Sequence, residues 1–395
     1  MNNKKQNSFF VEAERLKSLP PYLFAEIDRI INEKKEKGID VISLGIGDPD
    51  IGTPKEIIDE LYLQAKKIEN HRYPSSYGLI EFKEAVAQYY YERFNVKIDP
   101  KTEVIPLWGS KEGIANIAYT FINPGDIALI PDPGYLVYKI GTMFAGGIPF
   151  TIPLLESNNF LADLDNIDKE TALKAKLIHL NYPNNPTSAS CDIKYLNKIA
   201  KFAYENKIIV CYDNAYSDVY FDENNKPLSF LNSDLGKQVG IEFNSLSKTF
   251  NMTGWRIGYA VGNSEIINSL GKYKTNVDSG IFNAIQYASV IALKNHEKFV
   301  KENINIYKKR REIVFNALEK LGLDYYKSDS TIYIWGKVPK NYNSTSFAQL
   351  LLNKANVVVT PGNAFGEYGE GYYRISITLS DERLEEAMER IKKVI

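Results

Sequence analysis

Short apolar runs punctuate the chain, each followed by a polar turn and then by a stretch of helical periodicity. VIPLW (104–108) precedes GSKEG, DIALI (126–130) precedes PDPGY, and KLIHL (176–180) precedes NYPNNP. KIIVCY (207–212) precedes DNAY, and VGIEF (239–243) precedes NSLSK. Apolar runs of this kind, separated by helices, predict βα units whose sheet is mostly parallel and buried on both faces. Ligands of such sheets bind beyond the C-terminal ends of the strands, which is where the polar turns fall.

The pattern differs at the two ends. Residues 1–40 predict a polar arm and then a helix, AEIDRIINEKKEKG, stopped by Gly38. From about 295 a long charged helix, HEKFVKENINIYKKRREIVFNALEKLG, leads to shorter strands, TIYIWG, VVVTPG and YYRISIT, and to a final helix. The expected organisation is a large α/β domain over 46–294 and a smaller α+β domain over 295–395, with residues 1–45 as an arm and helix joining the small domain. A length of 395 residues agrees with two domains, because single cores stop growing near roughly 250–300 residues.

Composition removes several alternatives. A net charge of −1 offers no basic surface for nucleic acid. Cys191 and Cys211 form no CxxC, and His71, His179 and His296 stand in no ligand spacing, so neither a disulfide framework nor a metal site is expected. The start, MNNKKQNSFF, has lysines without an apolar stretch behind them, and no apolar run approaches the ~18 residues of a membrane span. The chain reads as cytoplasmic, with no membrane partner.

The chemistry lies in the turns. NSLSKTFNMTGWRIG (244–258) places Lys248 just past a strand and Arg256 eight residues later, with no acid in that stretch to pair either. Such a pair implies an anion from outside the sequence. Ser110 and Lys111, after Gly109 and at a helix start, form a second anion cup; taken alone, such a turn is as often an ordinary N-cap. With Ser245, Ser247 and Arg256 it suits one phosphate monoester, and neither a Walker loop nor GxGxxG is present. Asp213 closes the apolar strand KIIVCYD, where a carboxylate is costly unless a cation meets it. It is either a helix N-cap or the partner of a protonated ring nitrogen. Tyr216 offers a phenol, Asn185 an amide and Tyr135 a flat face. These parts together describe a pyridoxal phosphate site, with Lys248 as the amine that condenses with the cofactor aldehyde.

SLSKTFNMTGWRIG resembles the lysine-attachment signature of the class I aminotransferases of pyridoxal phosphate fold type I, and NYPNNPT, YDNAY and RISIT resemble their other blocks. Over nearly the whole chain, LPPYLFAEID, SLGIGDPD, HRYP, GSKEGIA, NPGDIALIPDPGYLVY, NVDSGIFNAIQ and GNAFGEYGEGYYRISIT resemble the LL-diaminopimelate aminotransferase family. The resemblance implies a large domain with a mostly parallel seven-stranded sheet between helices, and a smaller α+β domain. It also implies a homodimer with shared active sites, an amino acid donor and a 2-oxo acid acceptor. Lys248 would carry pyridoxal 5'-phosphate covalently and move the substrate proton. Asp213 would pair with the ring nitrogen, and Asn185 and Tyr216 would bond the ring oxygen. Tyr135 would stack on the ring, and Ser110, Lys111, Ser245, Ser247 and Arg256 would hold the phosphate. Tyr73 would reach the partner's phosphate. Arg374 would clamp the substrate carboxylate, helped by the Gly47 backbone, with Lys111 and Asn185 also among the substrate contacts. Tyr22 and Asn283 match positions that touch substrate or cofactor.

Two departures stand out. Relatives carry a glutamate between the HRY tyrosine and the next glycine, where this chain has Pro74-Ser-Ser-Tyr77. That keeps open a donor other than LL-diaminopimelate, such as aspartate or an aromatic amino acid. A cystathionine-type β-lyase shares the same parts, whereas a regulator built on this fold would need a DNA-binding segment that the short arm does not supply. NNPTS replaces the common NNPTG, so Ser188 stands where glycine is usual.

Overall fold

The computed structural model describes residues 9–19 and 23–395. A seven-stranded sheet forms its centre, from β1 (Val104–Leu107), β2 (Ile127–Asp132), β3 (Ile148–Pro153), β4 (Ala175–Asn181), β5 (Ile209–Asp213), β6 (Gly240–Ser245) and β7 (Gly258–Gly262). The spatial order is β1-β7-β6-β5-β4-β2-β3, parallel throughout except that β7 runs antiparallel to both of its neighbours. The five expected runs all form strands here. The sheet is therefore mostly parallel, as expected.

Two strands escape the periodicity for identifiable reasons. β3 carries Pro149 and Pro153 and lies at the sheet edge, where a missing N–H is tolerated. β7 is only GYAVG, bounded by glycines that let it approach its neighbours closely. A Cβ at Gly258 would sit 2.7 Å from the Asn244 carbonyl and 2.9 Å from the Ser110 nitrogen. Both faces of the sheet are apolar. Leu129, Ile178 and Val210 join one core cluster, and Leu177, Cys211, Ile241 and Phe243 join the other.

Parallel register brings the strand ends level, since Asn181 pairs with Asp213 and Asp213 with Phe243. The helices behind them are capped as local sequence dictates. Asp192 accepts the Tyr195 N–H at 2.8 Å to start Ile193–Asn206, and Asn263 caps Ser264–Lys274.

A 25-residue helix, His296–Lys320, leads to an antiparallel sheet of Thr360–Pro361, Tyr372–Ser376 and Tyr333–Lys337. The N-terminal helix spans Leu23–Glu36 and is followed by Gly38 at φ 72°, a turn that favours glycine. Beyond it, Ile42–Ser43 pairs in parallel with Val357–Val358, and Ile42 and Leu44 pack in the same cluster as Tyr307, Phe347 and Ile375. Arg310 of the long helix grips Asp50 at 2.6 and 2.9 Å. The Asp132 carboxylate at the end of β2 accepts the N–H groups of Glu367 and Tyr368 at 3.1 and 2.9 Å. No helix among the described residues is long and apolar enough to cross a membrane.

Candidate active site

The C-terminal ends of β4, β5 and β6 open into a cleft of about 470 Å³, closed on its other side by residues 46–48, Tyr333, Phe365 and Arg374. β6 ends at Ser245, which caps a one-turn helix, Leu246–Thr249, and Lys248 projects from that turn. Its amine donates to the Gly47 carbonyl. Burial, reinforced by the charges of Arg374 and Arg256, pulls the Lys248 pKa below that of a free lysine, with Tyr333 and Asp48 acting the other way.

Asp213 ends β5 and is 5 % exposed. Tyr138 donates its hydroxyl to Oδ2 at 2.8 Å, whereas Oδ1 has no hydrogen-bond partner among the described residues. Burial pushes this carboxyl up to about 6, against the Tyr138 hydroxyl and the Ala215 backbone, which favour the charged form. Behind Tyr138, His179 stacks on its ring with centroids 5.0 Å apart. Asn185 follows β4 in the NYPNNP turn, its backbone N–H held by Asn181 at 2.7 Å.

Arg374 is 3 % exposed. Its Nη1 donates to Asn185 Oδ1 and its Nη2 to the Gly45 carbonyl, both at 2.6 Å, and its Nε has no partner among the described residues. The guanidinium lies over the Tyr333 ring at 4.1 Å and the Phe365 ring at 4.6 Å. No acid among the described residues is bonded to it. Tyr216 and Tyr333 share a hydroxyl contact of 3.0 Å.

The opposite end of the cleft is an anion cup. Gly109, at φ 76°, brings the chain to the N-terminus of the helix Ser110–Phe121, and a Cβ there would overlap the Arg256 guanidinium. Arg256 reaches this place from a left-handed backbone (φ 55°), with Nη1 tied to the Thr253 carbonyl at 2.8 Å. Ser110, Lys111, Ser245 and Ser247 line the same region. Such a helix end with two cations and three hydroxyls suits a phosphate.

The cleft therefore brings together Ser110, Lys111, Tyr135, Asn185, Asp213, Tyr216, Ser245, Ser247, Lys248, Arg256, Arg374 and Gly47. Tyr73 and Asn283 are elsewhere in the protomer. Tyr73 is 91 % exposed in a separate hollow lined also by Ser279, Gly280 and Phe282, and Asn283 begins the helix Asn283–Lys294. Tyr22 lies outside the described residues. Tyr138, Tyr333, Phe365 and Asp48 belong to the site without having been singled out by sequence. Tyr138 had one available signal: it follows Tyr135 by three residues, which is one helical turn.

The profile of the Aminotransferase class I and II family matches residues 39–391. The chain belongs to the class I and II aminotransferases. Among relatives of this aminotransferase, the LL-diaminopimelate aminotransferase of Aquifex aeolicus is 55 % identical over 98 % of this chain and 99 % of its own. Among solved structures, substrate-bound BacF from Bacillus subtilis superposes with a TM-score of 0.93 at 38 % identity, covering 97 % of this chain and 98 % of the other. A single mutant of Thermus thermophilus aspartate aminotransferase gives a TM-score of 0.91 at 25 % identity, covering 98 % and 100 %. The family implies pyridoxal phosphate. The residues present fit it: an unbonded carboxylate oxygen suits a protonated ring nitrogen, a lysine of lowered pKa suits an aldehyde, and the anion cup suits a phosphate.

The unmatched charge of Asp213 has a measurable consequence in the cofactor-free protein. Its folded pKa of about 6 lies above that of an exposed aspartate, so the folded state binds the proton more tightly than the unfolded state. The associated stability is then lost as pH rises toward and past 6, by roughly 3 kcal/mol. Asp213→Asn is expected to raise the melting temperature of the cofactor-free protein at pH 8, with the gap narrowing as pH falls to 5. A gap independent of pH contradicts this account.

Proposed function

We propose that this aminotransferase holds pyridoxal phosphate covalently on Lys248 and moves the amino group of LL-diaminopimelate to a 2-oxo acid, with 2-oxoglutarate as the acceptor. When bound, the cofactor supplies an aldehyde for the donor nitrogen and a protonated ring that draws electrons from Cα. The carrying observation is the convergence, in one cleft, of three ionisable groups that form no ion pair among the described residues: Lys248, Arg374 and Asp213.

Each side chain then has a task. Asp213 holds a proton at the ring nitrogen, with Tyr138 fixing which carboxylate oxygen remains available. Lys248 would be the base that takes the donor's Cα proton and returns it, and its lowered pKa favours the neutral amine that this task needs. Arg374 clamps the α-carboxylate with its guanidinium fork. Asn185 and Tyr216 would bond the ring oxygen, Tyr135 would cover the ring, and the cup from Ser110 to Arg256 would anchor the phosphate. Residues 46–294 would carry the cofactor contacts, and 295–395 supply Tyr333, Phe365 and Arg374 on the facing side of the cleft.

The exposure of Tyr73 supports a homodimer in which this phenol serves the other subunit's phosphate. Mixing Lys248→Ala and Tyr73→Ala subunits tests both assignments together. Alone, the first variant is expected to lack turnover and visible cofactor absorption, and the second to bind cofactor weakly. Their mixture should regain about a quarter of parental activity, since half the dimers are hybrids and each hybrid has one intact site. Turnover by Lys248→Ala alone, or a mixture no better than its parts, overturns these assignments.

A second reading is favoured by one observation: Pro74–Tyr77 contains no acid to meet a distal ammonium. A monoamino donor such as an aromatic amino acid brings no second ammonium to that segment. Leaving a buried cationic end unpaired costs about 2–5 kcal/mol. A panel of amino donors with 2-oxoglutarate separates the two readings. Turnover of LL-diaminopimelate above that of aspartate and aromatic donors is the expected result; good activity with a monoamino acid and none with LL-diaminopimelate rejects the first donor assignment.

A further inference from the structure

Ser188 adopts φ 64° although it is not glycine, and it is 1 % exposed. A left-handed backbone costs an L-residue about 1–2 kcal/mol, so something at this position offsets the strain. Its hydroxyl lies 2.9 Å from the Tyr333 carbonyl and 2.6 Å from Thr331 Oγ1. Thr331 is itself at φ 71°, and its Oγ1 accepts the Tyr333 N–H at 3.1 Å. One proton arrangement satisfies all three contacts: Tyr333 N–H donates to Thr331, Thr331 donates to Ser188, and Ser188 donates to the Tyr333 carbonyl. Such closed chains strengthen each member. The Ser188 carbonyl also accepts the Ser328 hydroxyl.

Tyr333 lines the cleft, and Ser188 lies buried behind it. Ser188 lies three residues past Asn185, which is bonded to Arg374. Tyr333 begins the strand beside the one that carries Arg374, and its ring supports the guanidinium. The fit around Tyr333 is tight, because a Cβ at Gly47 would overlap its hydroxyl. A glycine at 188 would meet the backbone requirement without strain but would supply no hydroxyl.

We propose that Ser188 is a positioning residue for substrate recognition: its hydroxyl locks the backbone of Tyr333, and through that ring sets the Arg374 guanidinium for the donor carboxylate. The proposal rests on the reading of Arg374 as the carboxylate clamp, and it assigns no contact with the cofactor to Ser188.

Ser188→Ala and Ser188→Gly, each alone and combined with Tyr333→Ala, test it on the cofactor-loaded enzyme with the donor that the parent turns over best. Loss of one buried hydrogen bond should raise the donor KM about five- to tenfold, with kcat and cofactor affinity within about twofold. In the Tyr333→Ala background the same changes should move KM less than about twofold, because their route is gone. Hydrogen exchange at the Tyr333 amide should quicken in both single variants, loaded or cofactor-free. That readout needs no substrate, so an error in the donor assignment leaves it untouched. An unchanged KM, an equal KM effect with and without the Tyr333 ring, or protection at Tyr333 that survives Ser188→Gly overturns the proposal.

Discussion

One oxygen of Asp213 is bonded to Tyr138 and the other to no group among the described residues, at the end of a strand whose surroundings are apolar. Keeping an acid there raises its pKa from 3.8 to about 6, a penalty of roughly 3 kcal/mol when it is ionised. The neighbouring strand shows what a structural acid looks like in this fold. Glu242 of β6 is equally buried but receives the Tyr90 hydroxyl, the Asn214 amide, the Ser229 hydroxyl and the Phe230 N–H, all within 2.5–2.8 Å. The chain can therefore satisfy a buried carboxylate completely. At Asp213 it leaves one oxygen without a partner among the described residues, a place that a cationic ring nitrogen would balance.

The remaining architecture follows from holding that acid in place. Parallel register sets Asn181, Asp213 and Phe243 side by side, so the turns carrying Asn185 and Lys248 flank the carboxylate from adjacent strands. Asn214, next in sequence to Asp213, is tied down by Glu242. The two fixed cations, Arg256 and Arg374, belong to opposite regions of the cleft, and neither is bonded to an acid among the described residues. Lys248 between them has its pKa lowered by burial and by both cations. A ligand with phosphate at one end, an aldehyde in the middle and a carboxylate-bearing substrate beyond matches this order of charges.

The parts legible in sequence were those written within a single strand and turn. KIIVCYD, NYPNNP and NSLSK each carry their chemistry within a few residues of an apolar run, so strand, turn and candidate residue could be read together. Tyr138 and Tyr333 were not legible, because their roles depend on partners 75 and 117 positions away, and an aromatic in an apolar stretch reads as core. β3 and β7 were missed for a different reason: prolines at an edge and glycines at a close approach dilute the periodic signal. Tyr73 and Asn283 came from family resemblance alone, and the protomer keeps both out of its own cleft. Ser188 was visible as a departure from glycine, but only the fold shows what its hydroxyl touches.

The central claim is that Asp213 stays ionised in the loaded enzyme because it faces a protonated ring nitrogen. The most direct measurement is the 15N NMR spectrum of the protein loaded with ring-15N pyridoxal phosphate at pH 8. A resonance in the pyridinium range, shifting to the neutral-pyridine range in Asp213→Asn, is the predicted result. A neutral-pyridine resonance in the parent protein at that pH would contradict the account.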